Sequence, residues 1–263
     1  MMSTTNQATD APEQPRTTGI YVYGIVPADV RTEDDAVGVD DSQVSTIRHG
    51  DIAALVSEIS VDRPLGKPAD LQAHAHLLDG AARVAPVLPL RFGAVLTDTD
   101  AVKDELLTAH ADEFAAAMEQ LEGKAQYVVK ARYVEHAVLW DVIGENEQAS
   151  ALRDTIRDQP EAATRDARMA LGEIVANAIV AKREEDTATV VEALDSLADL
   201  VNVREPTHEE DAAQVAVLVE VARGEELEQA VGALAERWEG RVEMRLLGPL
   251  AAYHFVMAQT PEG

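Results

Sequence analysis

Apolar residues fall along this chain in two rhythms, period two and period three to four, and the switches between them outline its elements. GIYVYGIV (19–26) is rich in β-branched and aromatic residues and closes on Pro27, which predicts a strand. VSTIR (44–48) and IAALVSEIS (52–60) flank His49-Gly50-Asp51, the signature of a tight hairpin. Leu71, Ala75, Leu78, Ala82 and Ala85 then recur at helical spacing. VLPLRFGAVL (87–96) alternates again and reads as a strand. Leu88, Leu90, Phe92, Ala94 and Leu96 would take its core face, leaving Arg91 between Pro89 and Gly93 on the other. Leu107, Ala111, Phe114, Met118 and Leu121 trace a helix stopped by Gly123. QYVVKARYV (126–134) places Tyr127, Val129, Ala131 and Tyr133 on one face of a strand and Lys130 and Arg132 on the other.

From 147 to 200 the chain has helical propensity with a break at Gln159-Pro160, and the charged run AKREED interrupts its apolar stripe, so one long helix and two helices both fit. VNVREP offers a short strand and QVAVLVEVA (214–222) a longer one. Leu227, Val231, Leu234 and Trp238 form a helix stripe ended by Gly240, and VEMRLL and AYHFVM read as strands divided by Gly248-Pro249. The two halves become β, loop, β, β, α, β and β, α, β, β, α, β, the split βαβ order of a ferredoxin-like fold, with the first half lacking its first helix. The expectation is an α+β protein of two domains. Residues 1–18 form a disordered tail, 19–122 a modified ferredoxin-like domain with a linking helix near 101–122, and 123–263 a C-terminal α+β domain with long helices. No sequence repeat underlies the repeated topology.

Charge narrows the partners. The 263 residues carry 48 Asp and Glu against 22 Lys and Arg, a formal net charge of −26, which opposes binding to nucleic-acid phosphates or anionic lipid. Few of the cations are lysine, and an acidic, lysine-poor chain suits concentrated salt, where screening relieves self-repulsion; a halophilic source follows as an expectation. With no cysteine there is no disulfide, thiolate nucleophile or cysteine metal site. The first residues lack the basic start and apolar core of a secretory signal, and no run of about 18 apolar residues exists to span a bilayer. A cytoplasmic protein without membrane insertion is expected.

Four stretches together resemble one family. GIYVYGIV, AHAHLLDGAARVAPVLPLRFGAVLTD, LEGKAQYVVKARYV and RLLGPLAAYHFV are similar, in order and spacing, to successive segments of the GvpF/GvpL gas vesicle proteins. LPLRFG is the most specific. The last segment departs from the family's Gly-Pro-Trp-Pro-Pro-Tyr-like pattern by placing Leu250, Ala251 and Ala252 where Trp-Pro-Pro stands. The resemblance implies an accessory protein of gas vesicle assembly with a modified ferredoxin-like N-terminal domain. Its implied partners are the hydrophobic shell protein GvpA and other accessory vesicle proteins. Composition, length and the acidic loop fit a haloarchaeal GvpL-type member.

The candidate partner contacts are Arg91 and Phe92 of LPLRFG, Lys130 and Arg132 on their strand, and Tyr21 and Tyr23 near the start. Arg91 reads either as a structural arginine paired with a carboxylate or as a presented cation. If its strand shares a sheet with Lys130 and Arg132, the three build a basic patch. His74 and His76 would not face each other on a helix, and no third metal ligand is apparent, so no metal or cofactor is expected. EDDAVGVDD lacks calcium-loop spacing, and no HExxH, phosphate-binding Gly loop, GxGxxG or GxSxG occurs, which argues against an enzyme. A small-ligand regulatory protein of ferredoxin-like fold is the alternative. An RNA binder of that topology would need basic charge and exposed stacking aromatics.

Overall fold

Two antiparallel sheets organise the computed structural model, which describes residues 17–32, 36–62 and 64–255. The first sheet comprises β1 (Thr18–Pro27), β2 (Ser45–His49), β3 (Ile52–Ser60) and the short β4 (Leu88–Pro89) and β5 (Val95–Leu96), in the order β2-β3-β1-β4 with β5 also on β1. The second comprises β6 (Lys124–Tyr133), β7 (Leu200–Val203), β8 (Asp211–Glu220) and β9 (Val242–Leu250), in the order β7-β8-β6-β9. Numbered within its own half, each sheet has the split βαβ arrangement, as the alternation of elements predicts. The expected hairpin is β2–β3, turned at Gly50, whose φ of 57° suits a residue without a Cβ.

Both faces of the first sheet are covered. A register shift between Val22 and Gly24 reverses the alternation along β1. Tyr21, Tyr23 and Val26 therefore share a face with Leu55 and Ile59, under Leu78 and Ala82 of α1 (Pro68–Ala82). Ile20, Val22 and Ile25 take the opposite face. There they meet the linking helix, wound as α2 (Thr99–Ala101), a π-helical segment (Val102–Thr108) and α3 (Ala111–Leu121), through Val102, Leu106, Leu107, Phe114, Met118 and Leu121. The buried side of α1 is Asp70, His74, Leu78 and Ala82; Leu78 and Ala82 belong to the expected stripe, whereas Leu71, its first member, is exposed. The 30–41 loop is tied down by Val39, which is buried and donates its N–H to the Tyr23 hydroxyl; residues 33–35, the 1–16 part of the expected tail and 256–257 of the expected last strand lie outside the described residues.

The second sheet covers one face with α6 (Arg165–Leu194) and α7 (Gly224–Arg237), and Val190, Leu194, Leu227, Val231, Leu234 and Trp238 meet Tyr127, Val129, Val215, Val217 and Val219. The region 147–200 holds α5 (Glu147–Ile156) and α6, which runs unbroken for 30 residues, about 45 Å. Half of the charged run that interrupts its stripe turns toward neighbouring elements: Lys182 pairs with Glu145, Arg183 donates to the carbonyls of Glu209 and Asp211, and the buried Asp186 accepts from Tyr133 and Arg241, while Glu184 and Glu185 are exposed. Before α5 lies α4 (Glu135–Glu145), absent from the sequence reading; Val138 and Val142, one turn apart, supply its buried side.

AYHFVM is not a strand as far as Phe255. After β9, whose Gly248-Pro249 bond is cis, residues 251–255 turn back to the N-terminal half. Ala251 enters the core beneath α1 and Ala252 the core on the sheet's other face, where Leu218 of β8 also packs. The Ala251 N–H donates to Asp79 on α1, and the His254 N–H donates to Gln126 on β6.

Candidate functional site

VLPLRFGAVL is not one strand. Leu88 and Pro89 pair with Ile25 and Gly24, the Leu90 N–H donates to the Tyr23 carbonyl, and the chain then leaves the sheet. The Ala94 N–H donates to the Arg91 carbonyl across a turn in which Gly93 has φ of 91°, and Val95 and Leu96 rejoin β1 opposite Tyr21 and Ile20. The apolar residues on either side of the turn are anchored in the sheet, while Arg91 opens the turn and Phe92 and Gly93 form its centre. Arg91 is exposed, and among the described residues its guanidinium has no carboxylate partner, so no structural ion pair accounts for it. Phe92 is half-buried and presents its ring edge-on to Tyr21 and His74, with centroids 6.0 and 5.7 Å away.

Tyr21 and Tyr23 do not reach the surface. Both are fully buried, because α1 lies over the face of β1 that the bulge gives them, and this removes them from the surface contacts expected of them. The Tyr21 hydroxyl accepts from the Gly93 N–H and lies 2.8 Å from His74 Nδ1; donating its hydrogen there places the imidazole proton on Nε2. The Tyr23 hydroxyl donates to Ser57 Oγ, which donates to the Gln43 carbonyl. His74 Nε2 and the Tyr253 hydroxyl are buried without hydrogen-bond partners among the described residues. Burial pushes the His74 imidazole down to about 4 and pushes the Tyr21 and Tyr253 hydroxyls above the ordinary tyrosine range. His74 is thus a neutral packing residue, while His76 on the same helix is exposed. Among the described residues no group of His, Asp and Glu is placed to hold a metal ion.

Lys130 and Arg132 lie on β6, in the second sheet, whereas Arg91 lies beside the first, so the three do not share a sheet. Lys130 and Arg132 are exposed on the face away from α6 and α7. Lys130 stands directly opposite Arg245 of β9 and Gln214 of β8; Arg132 stands opposite Glu243 and Asp211. Asp211 is buried and accepts from the backbone N–H groups of Thr207 and His208, the Thr207 hydroxyl and Gln214 Nε2, at 2.8–3.1 Å. Burial works against its charge, but these donors win and hold the carboxyl below the ordinary aspartate value. Arg245, Gln214 and the 207–211 turn escaped the sequence reading. The alternation of VEMRLL does place Glu243 and Arg245 on one face, but only strand register shows what they oppose.

A third feature is the edge strand β7. Its Leu200, Val201 and Val203 are 51, 36 and 55% exposed, and among the described residues it pairs only with β8. The opposite edge, β9, carries Glu243, Arg245, Pro249 and a register shift, the usual protections of an edge. β2 is short and polar. No such protection stands within LVNV.

Comparison with known proteins bears on these features together. The family model for gas vesicle synthesis protein GvpL/GvpF matches residues 19–257. The chain is 33% identical over 242 residues to Gas vesicle protein F of Streptomyces sp., covering 90% of this chain and 98% of that protein. To Gas vesicle protein F of Dolichospermum flosaquae it is 22% identical over 238 residues, covering 90% and 96%. The crystal structure of GvpF from Anabaena sp. has the same fold, with a TM-score of 0.77 at 22% identity over 92% of this chain and 99% of that one. GvpF from Microcystis aeruginosa gives 0.73 at 20% identity over the same shares. These relatives are F-type proteins from Streptomyces and cyanobacteria, so the haloarchaeal L-type expectation gains no support; an acidic, lysine-poor composition does not by itself identify a salt habitat.

Proposed function

Because the chain belongs to the GvpL/GvpF family of gas vesicle synthesis proteins, we propose that it is a non-enzymatic accessory factor that binds the shell subunit GvpA and nucleates or delivers it, alongside other accessory vesicle proteins. The observation that carries this reading is the β7 edge, which no other strand covers among the described residues. An exposed apolar edge strand is a template for another chain's strand, and a hydrophobic subunit kept from aggregating needs such a receptor. The net charge of −26 keeps the loaded complex dissolved. None of the described helices is long and apolar enough to cross a membrane, which suits work in the cytoplasm at the growing vesicle. Arg91 and Phe92, carried on a turn with its ends fixed in the sheet, form a second contact in this reading. We place the boundary between the two domains at 122/123.

The test is co-expression of the tagged protein with GvpA, followed by hydrogen exchange on the captured pair. GvpA should slow exchange at 200–203, and the double substitution Val201→Lys/Val203→Lys should lower capture roughly tenfold while leaving the thermal transition in place. Undiminished capture by that variant, with no protection of β7, would refute the edge as the receptor. Absence of any GvpA capture by the unaltered protein would refute the function itself.

A further inference from the structure

The outer face of the second sheet is half covered. Toward Gln126 and Leu218 it packs against the N-terminal half and residues 251–255; toward Lys130 it is open, with a cleft of about 230 Å³ between β6, β8, β9 and the 207–211 turn. In this cleft Lys130 and Arg245 stand directly opposite each other on neighbouring strands, where like charges repel. The chain has 48 carboxylates, yet among the described residues neither cation is paired. The position on the other flank of Lys130 is the neutral Gln214. Three carboxylates lie toward the other end of the cleft: Arg132 is 3.7 Å from Glu210 and 3.8 Å from Asp211, which is fixed by its own hydrogen bonds, and Glu243, which also lines the cleft, stands opposite Arg132 rather than Lys130. One end of the cleft is neutralised from within and the other is left positive on a strongly acidic protein.

We propose that Lys130 and Arg245 form a docking point for a carboxylate side chain on an acidic segment of a partner protein. An ammonium and a guanidinium side by side offer a point charge and a planar fork, which together satisfy both oxygens of a carboxylate. Both side chains are too exposed to enclose a free small anion, which gains affinity from burial of most of its surface. A carboxylate on a segment held along the sheet needs only the charge pair. A second copy of this chain is a poor occupant, since it would bring −26 against −26.

Fluorescence anisotropy at low ionic strength with labelled Val-Glu-Val-Glu-Val and Val-Gln-Val-Gln-Val peptides tests the proposal. The glutamate peptide should bind roughly tenfold more tightly than its glutamine counterpart, and Lys130→Gln/Arg245→Gln should erase the difference while Lys103→Gln preserves it. Circular dichroism and the thermal transition establish that the double variant folds, and carbodiimide coupling of the glutamate peptide should map to Lys130. Equal affinity for the two peptides, or a preference that survives in the double variant, overturns the proposal. Displacement of the peptide by millimolar inorganic phosphate as readily as by unlabelled glutamate peptide marks a small-anion site and overturns it as well.

Discussion

Replacing Asp186 with alanine removes the carboxylate that joins α6 to both the end of β6 and the start of β9. Three hydrogen bonds go at once: Tyr133 Oη to Oδ2 at 2.7 Å, and the two Arg241 nitrogens to Oδ2 and Oδ1 at 2.8 Å each. Breaking one side of a buried ion pair costs about 3–5 kcal/mol, because the remaining charge is left uncompensated. The Asp186 side chain is 9% exposed but that of Arg241 is 25%, so water recovers part of the guanidinium's loss. The lower end, about 3 kcal/mol, is therefore expected, and about half that for Asp186→Asn, which keeps an oxygen acceptor. Arg241 also lies over the Trp238 ring, 5.1 Å from its centroid, so the tryptophan reports on the same site. Urea unfolding followed by fluorescence in a Trp140→Phe background, which removes the exposed indole, reads the loss directly. Combining Asp186→Ala with Arg241→Ala should cost well under the sum of the two single losses, by at least about 1 kcal/mol. A loss below about 1 kcal/mol for Asp186→Ala, or strict additivity in the double variant, would show that the triad does not hold the helix to the sheet.

Three further outcomes follow from the same geometry. His74 is held neutral to about pH 4, whereas an unfolded histidine protonates near 6.5, so stability is unaffected above pH 6.5 and falls by up to about 3 kcal/mol as the pH drops to 4. The nontitrating His74→Asn should show a shallower fall over that window in equilibrium denaturation at stepped pH; parallel pH curves would contradict the assignment. Lys130→Gln relieves the repulsion with Arg245 and should stabilise the protein by about 0.2–1 kcal/mol at low ionic strength, with the gain vanishing in high salt; a salt-independent effect would point to packing instead. Arg91→Met should leave stability within about 0.5 kcal/mol, since the guanidinium has no partner among the described residues, while lowering GvpA capture; a substantial drop in the thermal midpoint would restore a structural role to the arginine.

Elements set by local signals were legible in the sequence. The hairpin at Gly50, the stop of α7 before Gly240 and the alternation of β8 each depend on residues within a few positions, and the two ferredoxin-like orders followed from them. The failures are nonlocal. VLPLRFGAVL keeps its period of two on either side of the Gly93 turn, so alternation alone could not reveal that its middle leaves the sheet. Tyr21 and Tyr23 would be surface residues on a sheet with one open face, but α1 and the 99–121 helix cover both. Lys130 and Arg132 were visible as a charged strand face, yet their setting required the register that brings Arg245 beside one and Asp211 beside the other. α4 went unread because Val138, Val142 and Ile143 are weak helix formers, and packing against α5 and α6 overrides propensity there.

The return of residues 251–255 sets a condition on how the protein is made. Ala251 and Ala252 fill positions in the two cores flanking the first sheet, more than two hundred residues after β1. On a ribosome, the N-terminal half emerges with those positions vacant and cannot close them until β9 has been synthesised. A nascent chain interrupted before Ala251 retains an unfinished first core, so the first sheet is sealed only after every strand of the second has been made.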